Sequence, residues 1–393
     1  MSILTDAPCV PNPLHQAPQT PVLSFVNGLF SRRTSSGRVI PAIDGLRSLA
    51  ILAVIMHHLG GFVALKTPGV ELQAARQTVS YRLTNVANYG VQLFFVISGF
   101  ILAIPFAEHL LRNGKAVGLV QYLKRRASRL HPPYLVNLAV LSLLLWWVKD
   151  VAWSEIGPHL LASAFYLHNV IYRSVSTING VAWTLEIEVQ FCLLAPLLAM
   201  VYRVRPAGIR RCLTGVFIAA IVLWKWWLGS GVSYPLAGCV IYYLDYFLAG
   251  LLLADFYVDS SRRPCDGSVG IAWNLLGLIG MLVSVALVVN ETMSVLLPLS
   301  LSLICAAALR APLWNWFFSQ RTLAGFGGMC YTTYLYHFGV ISLVGRCVAP
   351  MTEGCSYTAA LGWQTLVILP VILVVSSVLF LLIEKPFMGS RTA

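Results

Sequence analysis

Charge is what this chain has least of. Lys, Arg, Asp and Glu make up 11% of its 393 residues while hydrophobic residues make up 58%, against about 25% charged in an ordinary soluble domain. A soluble globular protein is excluded on that ground alone. The nine cysteines are scattered, odd in number and show no CxxC spacing, so no metal site is expected. Cys347 and Cys355 flank the last outer loop and are the one pair placed to join in an oxidising compartment. No inverted internal repeat of the kind found in many transporters is visible. Residues 1–40 are rich in Pro, Ser and Thr and lack an apolar core, which reads as a disordered cytoplasmic tail and not as a cleaved signal peptide.

What is present is a series of long apolar runs. Ten segments, 46–65, 90–109, 131–148, 182–201, 212–228, 236–256, 269–289, 293–309, 325–345 and 361–383, lie near the ~20 residues that a bilayer crossing requires. The stretch 156–172 is too short and too polar to cross and is expected to be interfacial or re-entrant. The fold class that follows is all-α: a polytopic membrane protein of about ten transmembrane helices with both termini cytoplasmic. Residues 41–388 form the membrane domain and 389–393 a short C-terminal tail. A net charge of +12 could suggest nucleic acid, but the placement of the basic residues argues against that partner. On a ten-span topology 20 of the 27 Lys and Arg fall on cytoplasmic segments or helix ends, six fall outside, and Lys225 falls within a span. This is the positive-inside bias, and it points to the plasma (inner) membrane with the bilayer itself as partner.

Polar residues inside such runs are where chemistry is sought, because ionisable groups in hydrocarbon face a bundle interior or a water-filled cavity. The first span carries Arg47 at its inner end and His58 eleven residues on. Eleven steps are three turns plus about 20°, so the two share a stripe, about 16.5 Å apart. Asp44 is expected to cap this helix and to balance part of the Arg47 charge one turn away. His57 points about 80° away from His58 and reads as structural. An imidazole removed from water is neutral and can serve as a general base; a snorkelling Arg and a His satisfied by a carbonyl would explain the same residues.

Four further segments stand out. In Lys124-Arg125-Arg126-Ala127-Ser128-Arg129, Arg126 and Arg129 share a helical face and form a fork suited to phosphate oxygens, although a basic cytoplasmic loop also touches anionic lipid. At the outer end of the fourth span, Trp183-Thr184-Leu185-Glu186-Ile187-Glu188 brings two carboxylates into the membrane. Glu186 and Glu188 project in different directions and are expected to do different jobs, with a structural bond competing evenly with a polar substrate for Glu188. In the ninth span Tyr334 and His337 lie one turn apart on a polar seam, where aromatic belts and a packed core His compete with activity. Glu384-Lys385-Pro386-Phe387 ends the tenth span.

Taken in order along residues 40–388, these pieces resemble the acyltransferase-3 family of integral-membrane O-acyltransferases. The matching residues are Asp44-Gly45-Leu46-Arg47 with His58 in an Arg-x10-His spacing; Val91 to Phe100; Arg126-x-x-Arg129 leading to His131-Pro132-Pro133-Tyr134; Trp183-Thr184-Leu185 with Glu188; Tyr331 to His337; and Glu384 to Phe387. The resemblance implies an acyl donor, usually acetyl-CoA, held on the cytoplasmic side by Arg126 and Arg129. It also implies a hydroxyl acceptor on the outer side, commonly a sugar of a glycan or glycolipid. His58 is then the catalytic residue, as a base or as a transient acyl carrier, with Arg47 its positional and electrostatic partner, and Trp183, Glu188 and His337 contribute to substrate binding. Thr184, Val189 and Gln92 depart from the usual Ser and two acidic residues. With no soluble esterase-like domain after residue 388, transfer is expected to finish at the membrane or pass to a separate protein. Oligomeric state is not legible. Two other readings remain: a transporter exporting a polar or anionic substrate along the same stripe, and an acyltransferase acting on a small secreted metabolite.

Overall fold

A computed structural model describes residues 39–229, 231–234, 236–259, 267–289 and 296–388, and the expected N- and C-terminal tails fall outside those residues but for Val39 and Ile40. The described residues contain helices and no strand. In chain order the helices are α1 (Pro41–Lys66), α2 (Leu72–Gln77), α3 (Val79–Val86), α4 (Gly90–Arg112), α5 (Leu119–Lys149), α6 (Trp153–Ala164), α7 (His168–Tyr172) and α8 (Trp183–Leu198). They continue as α9 (Ala207–Leu228), α10 (Val240–Asp259), α11 (Gly267–Val289), α12 (Leu297–Arg310), α13 (Pro312–Phe318), α14 (Arg321–Gly328), α15 (Cys330–Val348), α16 (Tyr357–Leu379) and α17 (Lys385–Met388). Among the described residues, eight helical stretches are long and apolar enough to cross a membrane, nine if α12 and α13, which meet at 88°, are one broken span. The chain is therefore a multi-pass membrane protein.

One expected span stands apart, and one expectation changes. The ninth expected span corresponds to α15, 19 residues of which Thr332, Thr333, Tyr334 and His337 are buried. A helix shielded by its neighbours need not be apolar all round, so α15 is more polar than the eight stretches while packing against α1. Asp44 does not cap α1: the helix begins at Pro41, a residue favoured in the first turn because its missing N–H has no helical partner there. Asp44 lies inside that first turn and pairs with Arg47, Oδ1 to Nη1, at 2.8 Å.

Helix α1 is the central staff. Ile43, Leu46, Ala50, Ile51, Val54, Ile55, Leu59 and Val63 along it are buried. It runs parallel to α15: Arg47 lies beside Cys330, His58 beside His337, and Phe62 against Gly345. Helices α4 and α10 approach most closely where glycines face backbone. A methyl group at Gly99 would collide with the carbonyl of Phe247, and one at Gly250 with that of Val96. Small residues are what permit such contact between helices in lipid, where no hydrophobic drive joins them.

Helix α9 buries little, and ion pairs hold it instead. Arg210 and Arg211 both bond Asp255 of α10, Arg211 also reaches Asp259 at 2.5 Å, and near the other end Lys225 meets Asp245 at 2.6 Å. Lys225 also lies over the rings of Tyr242 and Tyr246. This supplies a partner for the one cation the sequence puts inside a span. Removing one member of a buried pair strands the other, so Asp245→Ala is expected to destabilise by about 3–5 kcal/mol, whereas replacing Lys225 and Asp245 together by Met and Leu is close to neutral. Thermal unfolding of the detergent-solubilised variants reads both.

The stretch expected to be interfacial or re-entrant folds back along α5. Tyr166, at the turn between α6 and α7 with φ of 59°, stacks on Tyr134 at 5.1 Å and bonds His131 at 3.2 Å. Tyr134 is fifteen residues, about 22 Å, before the end of α5, so the loop reaches deep along the helix wall and is tolerated there because protein covers it.

Candidate active site

Five helices meet around a cavity of about 80 Å³, room for several waters or the small end of a ligand. Helix α1 contributes Arg47, α5 Arg126 and Arg129, α8 Thr184 and Glu188, α15 Cys330, Tyr331 and Tyr334, and α4 a wall from Val91 to Leu102. That wall spans eleven residue steps, about 16 Å, so the cavity is elongated along the bundle.

Its two ends differ in chemistry. Where α4 and α8 begin, the Tyr334 hydroxyl donates to the carbonyl of Val181 at 2.6 Å and accepts from the Thr184 hydroxyl at 2.6 Å, while Phe94 packs against the Tyr334 ring. Thr184 keeps the hydroxyl that its departure from Ser put in question. One turn further along α8, Glu188 accepts from Ser98 at 3.3 Å. At the far end Tyr122 packs on Phe106 and bonds the carbonyl of Cys192, and one turn from Tyr122 stands Arg126. Helix α5 begins at Leu119, so the basic run lies on its first turns and Arg126 and Arg129 do share a face.

This end is rich in guanidinium. Arg47 lies within electrostatic reach of Arg126, Arg129 and Glu188. Among the described residues neither Arg126 nor Arg129 forms an ion pair, and the Nε of Arg129 is buried with no hydrogen-bond partner. A buried donor left open beside two further guanidinium groups suits an anion of several oxygens. Glu384, presented by a π-helical turn over Phe380–Glu384, closes this end by accepting from the Thr332 N–H at 3.2 Å and hydroxyl at 2.5 Å.

Of the seven residues singled out by sequence, Arg47, Arg126, Arg129 and Glu188 line the cavity. His58, His337 and Trp183 do not. His337 is fully buried one turn beyond Tyr334, rings 5.7 Å apart, and His58 lies 5.2 Å from His337. The order from the cavity outward is thus Tyr334, His337, His58. His58 is half-buried and packs edge-on to Phe338, while His57 is held by the carbonyl of Thr84 at 3.1 Å, in keeping with a structural part. Trp183 packs on Tyr243 at 5.7 Å and its carbonyl accepts from Asn169. The two carboxylates of α8 face different neighbours: Glu186 accepts from the Asn169 N–H at 2.8 Å, tying down the folded-back loop. Ser98 and Tyr331 lie in segments that carry the family resemblance but were given no role of their own, and Cys330 was read only as one of the scattered cysteines. Cys347 and Cys355 are both free thiols.

A family profile described as an acyltransferase domain matches residues 40–384. The chain belongs to the acyltransferase-3 family. It is 25% identical over 344 residues to the O-acetyltransferase OatA of Staphylococcus aureus, covering 79% of this chain and 52% of that protein. It is 28% identical over 183 residues to the peptidoglycan O-acetyltransferase OatA of Listeria monocytogenes, covering 42% and 25%. The chain thus spans about half the length of the Staphylococcus relative, 52%. No solved structure matches. The acyltransferase-3 match runs through every helix that lines the cavity.

Proposed function

We propose that this chain is a membrane O-acyltransferase that moves an acetyl group from cytoplasmic acetyl-CoA to a hydroxyl of an extracytoplasmic glycan or glycolipid. The observation that carries it is a cavity running between a guanidinium cluster with an open donor and a hydroxyl-lined end beside two histidines. Ten crossings of the plasma membrane with both termini inside put Arg126 and Arg129 at the cytoplasmic mouth and Thr184 toward the outside, as the positive-inside distribution favours. The thioester arm of the donor enters the cavity from the end where Arg126 and Arg129 hold its phosphates. Glu188, Trp183 and His337 serve the acceptor side. The names of the two OatA relatives make a peptidoglycan-like sugar the first acceptor to try.

In the chemical step the acceptor oxygen bonds the thioester carbonyl carbon as its proton passes to His58. The tetrahedral carbon then expels the thiolate, which takes that proton from His58, leaving an acetyl ester and free CoA–SH. Arg47, on the same stripe about three turns below His58 and paired with Asp44, contributes positive charge along the seam from a distance and makes no contact with the oxyanion.

Proteoliposomes carrying the full chain, given labelled acetyl-CoA and a chito-oligosaccharide or a muropeptide, are expected to yield labelled ester that mild alkali releases. Export of an anionic substrate with no label in any product would overturn the reading in favour of a transporter.

A further inference from the structure

Nδ1 of His337 lies 2.7 Å from the carbonyl of Tyr334 and 3.2 Å from that of Thr333. Carbonyl oxygens only accept, so Nδ1 carries the ring proton and Nε2 presents a lone pair. That Nε2 is buried and has no hydrogen-bond partner among the described residues, an omission that costs about 1–3 kcal/mol unless something donates to it. His58 is the donor at hand. Its ring is 5.2 Å from that of His337 at 46°, and neither of its nitrogens is hydrogen-bonded to a described residue.

We propose that His337 is the positioning residue of His58: its Nε2 accepts the His58 N–H and so decides which His58 nitrogen is left as the base. The inference rests on the reading of His58 as the catalytic base. A turn of the His58 ring suffices, and this chain already shows the contact made elsewhere. His159 and His168, with centroids 5.1 Å apart at 31°, are joined Nδ1 to Nε2 at 2.9 Å.

The chemical consequence follows from proton count. A neutral imidazole has one N–H, and if that hydrogen is held by His337 the other nitrogen must carry the lone pair. The tautomer able to accept a proton from an alcohol is then the resting one. Phe338, edge-on at 5.2 Å, and His57, at 5.2 Å and 66°, flank the ring and limit other orientations. His57 cannot replace His337 through its Nδ1, because that nitrogen donates to Thr84.

The test compares His337→Gln, which keeps an acceptor, with His337→Met, which has similar volume and only a weak one. In proteoliposomes with acetyl-CoA and chito-oligosaccharide, His337→Met is expected to lower kcat at least about tenfold, the kinetic equivalent of one lost oriented hydrogen bond, with the acetyl-CoA KM unchanged. His337→Gln is expected to recover most of that loss. A packing role ranks Met at or above Gln, since Met buries no polar group, and that ranking overturns the proposal. Solid-state NMR of 15N-histidine protein decides independently of activity: a single His58 tautomer in the parent that becomes mixed in His337→Met supports it, and a mixed tautomer in the parent overturns it. Activity that survives His58→Ala instead removes the underlying reading of His58, whereas an inactive His58→Ala beside a fully active His337→Met removes only the positioning role.

Discussion

His58→Ala is expected to reduce acetyl transfer by about 10²- to 10⁴-fold, the usual contribution of a positioned general base. The protein should nevertheless insert and fold. His58 makes no hydrogen bond to a described residue, it is half-buried, and alanine favours the helical conformation that α1 already has. Stability should fall by about 1–3 kcal/mol, the cost of leaving the buried Nε2 of His337 without its donor. Paired measurements of thermal midpoint and initial rate in the same proteoliposomes separate loss of chemistry from loss of fold. The variant also divides the two mechanisms. If His58 carries the acetyl group, parent protein incubated with labelled acetyl-CoA and no acceptor retains label that His58→Ala does not; if it is a base, neither protein retains any. A near-normal rate in His58→Ala would sink the assignment of chemistry to this residue.

How far the sequence foretold this arrangement depends on whether a feature is local to one helix. The phase of Arg47 and His58 follows from 3.6 residues per turn alone, and both face α15 in the structure. Arg126 and Arg129 share a face for the same reason, as do the divergent directions of Glu186 and Glu188. Features set between helices were not legible. No periodicity says that Lys225 meets Asp245, twenty positions away on the next helix, or that Ser98 meets Glu188. The cavity draws its lining from five helices, so its shape is a property of packing, and His58 lies beside it and not in its wall. Asp44 misled because an acidic residue near a helix start resembles a cap, while Pro41 had already started the helix three residues earlier. Helix α15 is expected to be a span, yet its buried polar residues keep it outside the eight stretches that length and composition mark.

Arg126→Gln and Arg129→Gln are each expected to raise the KM for acetyl-CoA by about 10- to 150-fold, since a hydrogen bond to a charged group is worth about 1.5–3 kcal/mol. kcat at saturating donor should stay near that of the parent, because phosphates far from the carbonyl are gripped equally in the ground state and the transition state. The two effects should not add, as the guanidinium groups stand one turn apart and share one ligand. A thioester without phosphates sharpens the argument. S-acetyl-N-acetylcysteamine has the reactive end of acetyl-CoA and nothing for the arginines to hold, so it should be a poor donor for the parent and an equally poor one for both variants. The difference between donors, measured across parent and variant, isolates the contact between phosphate and arginine from any general disturbance of the cavity. If both donors weaken alike in Arg129→Gln, its guanidinium is supporting the helices around it, and the anion cradle must be sought elsewhere.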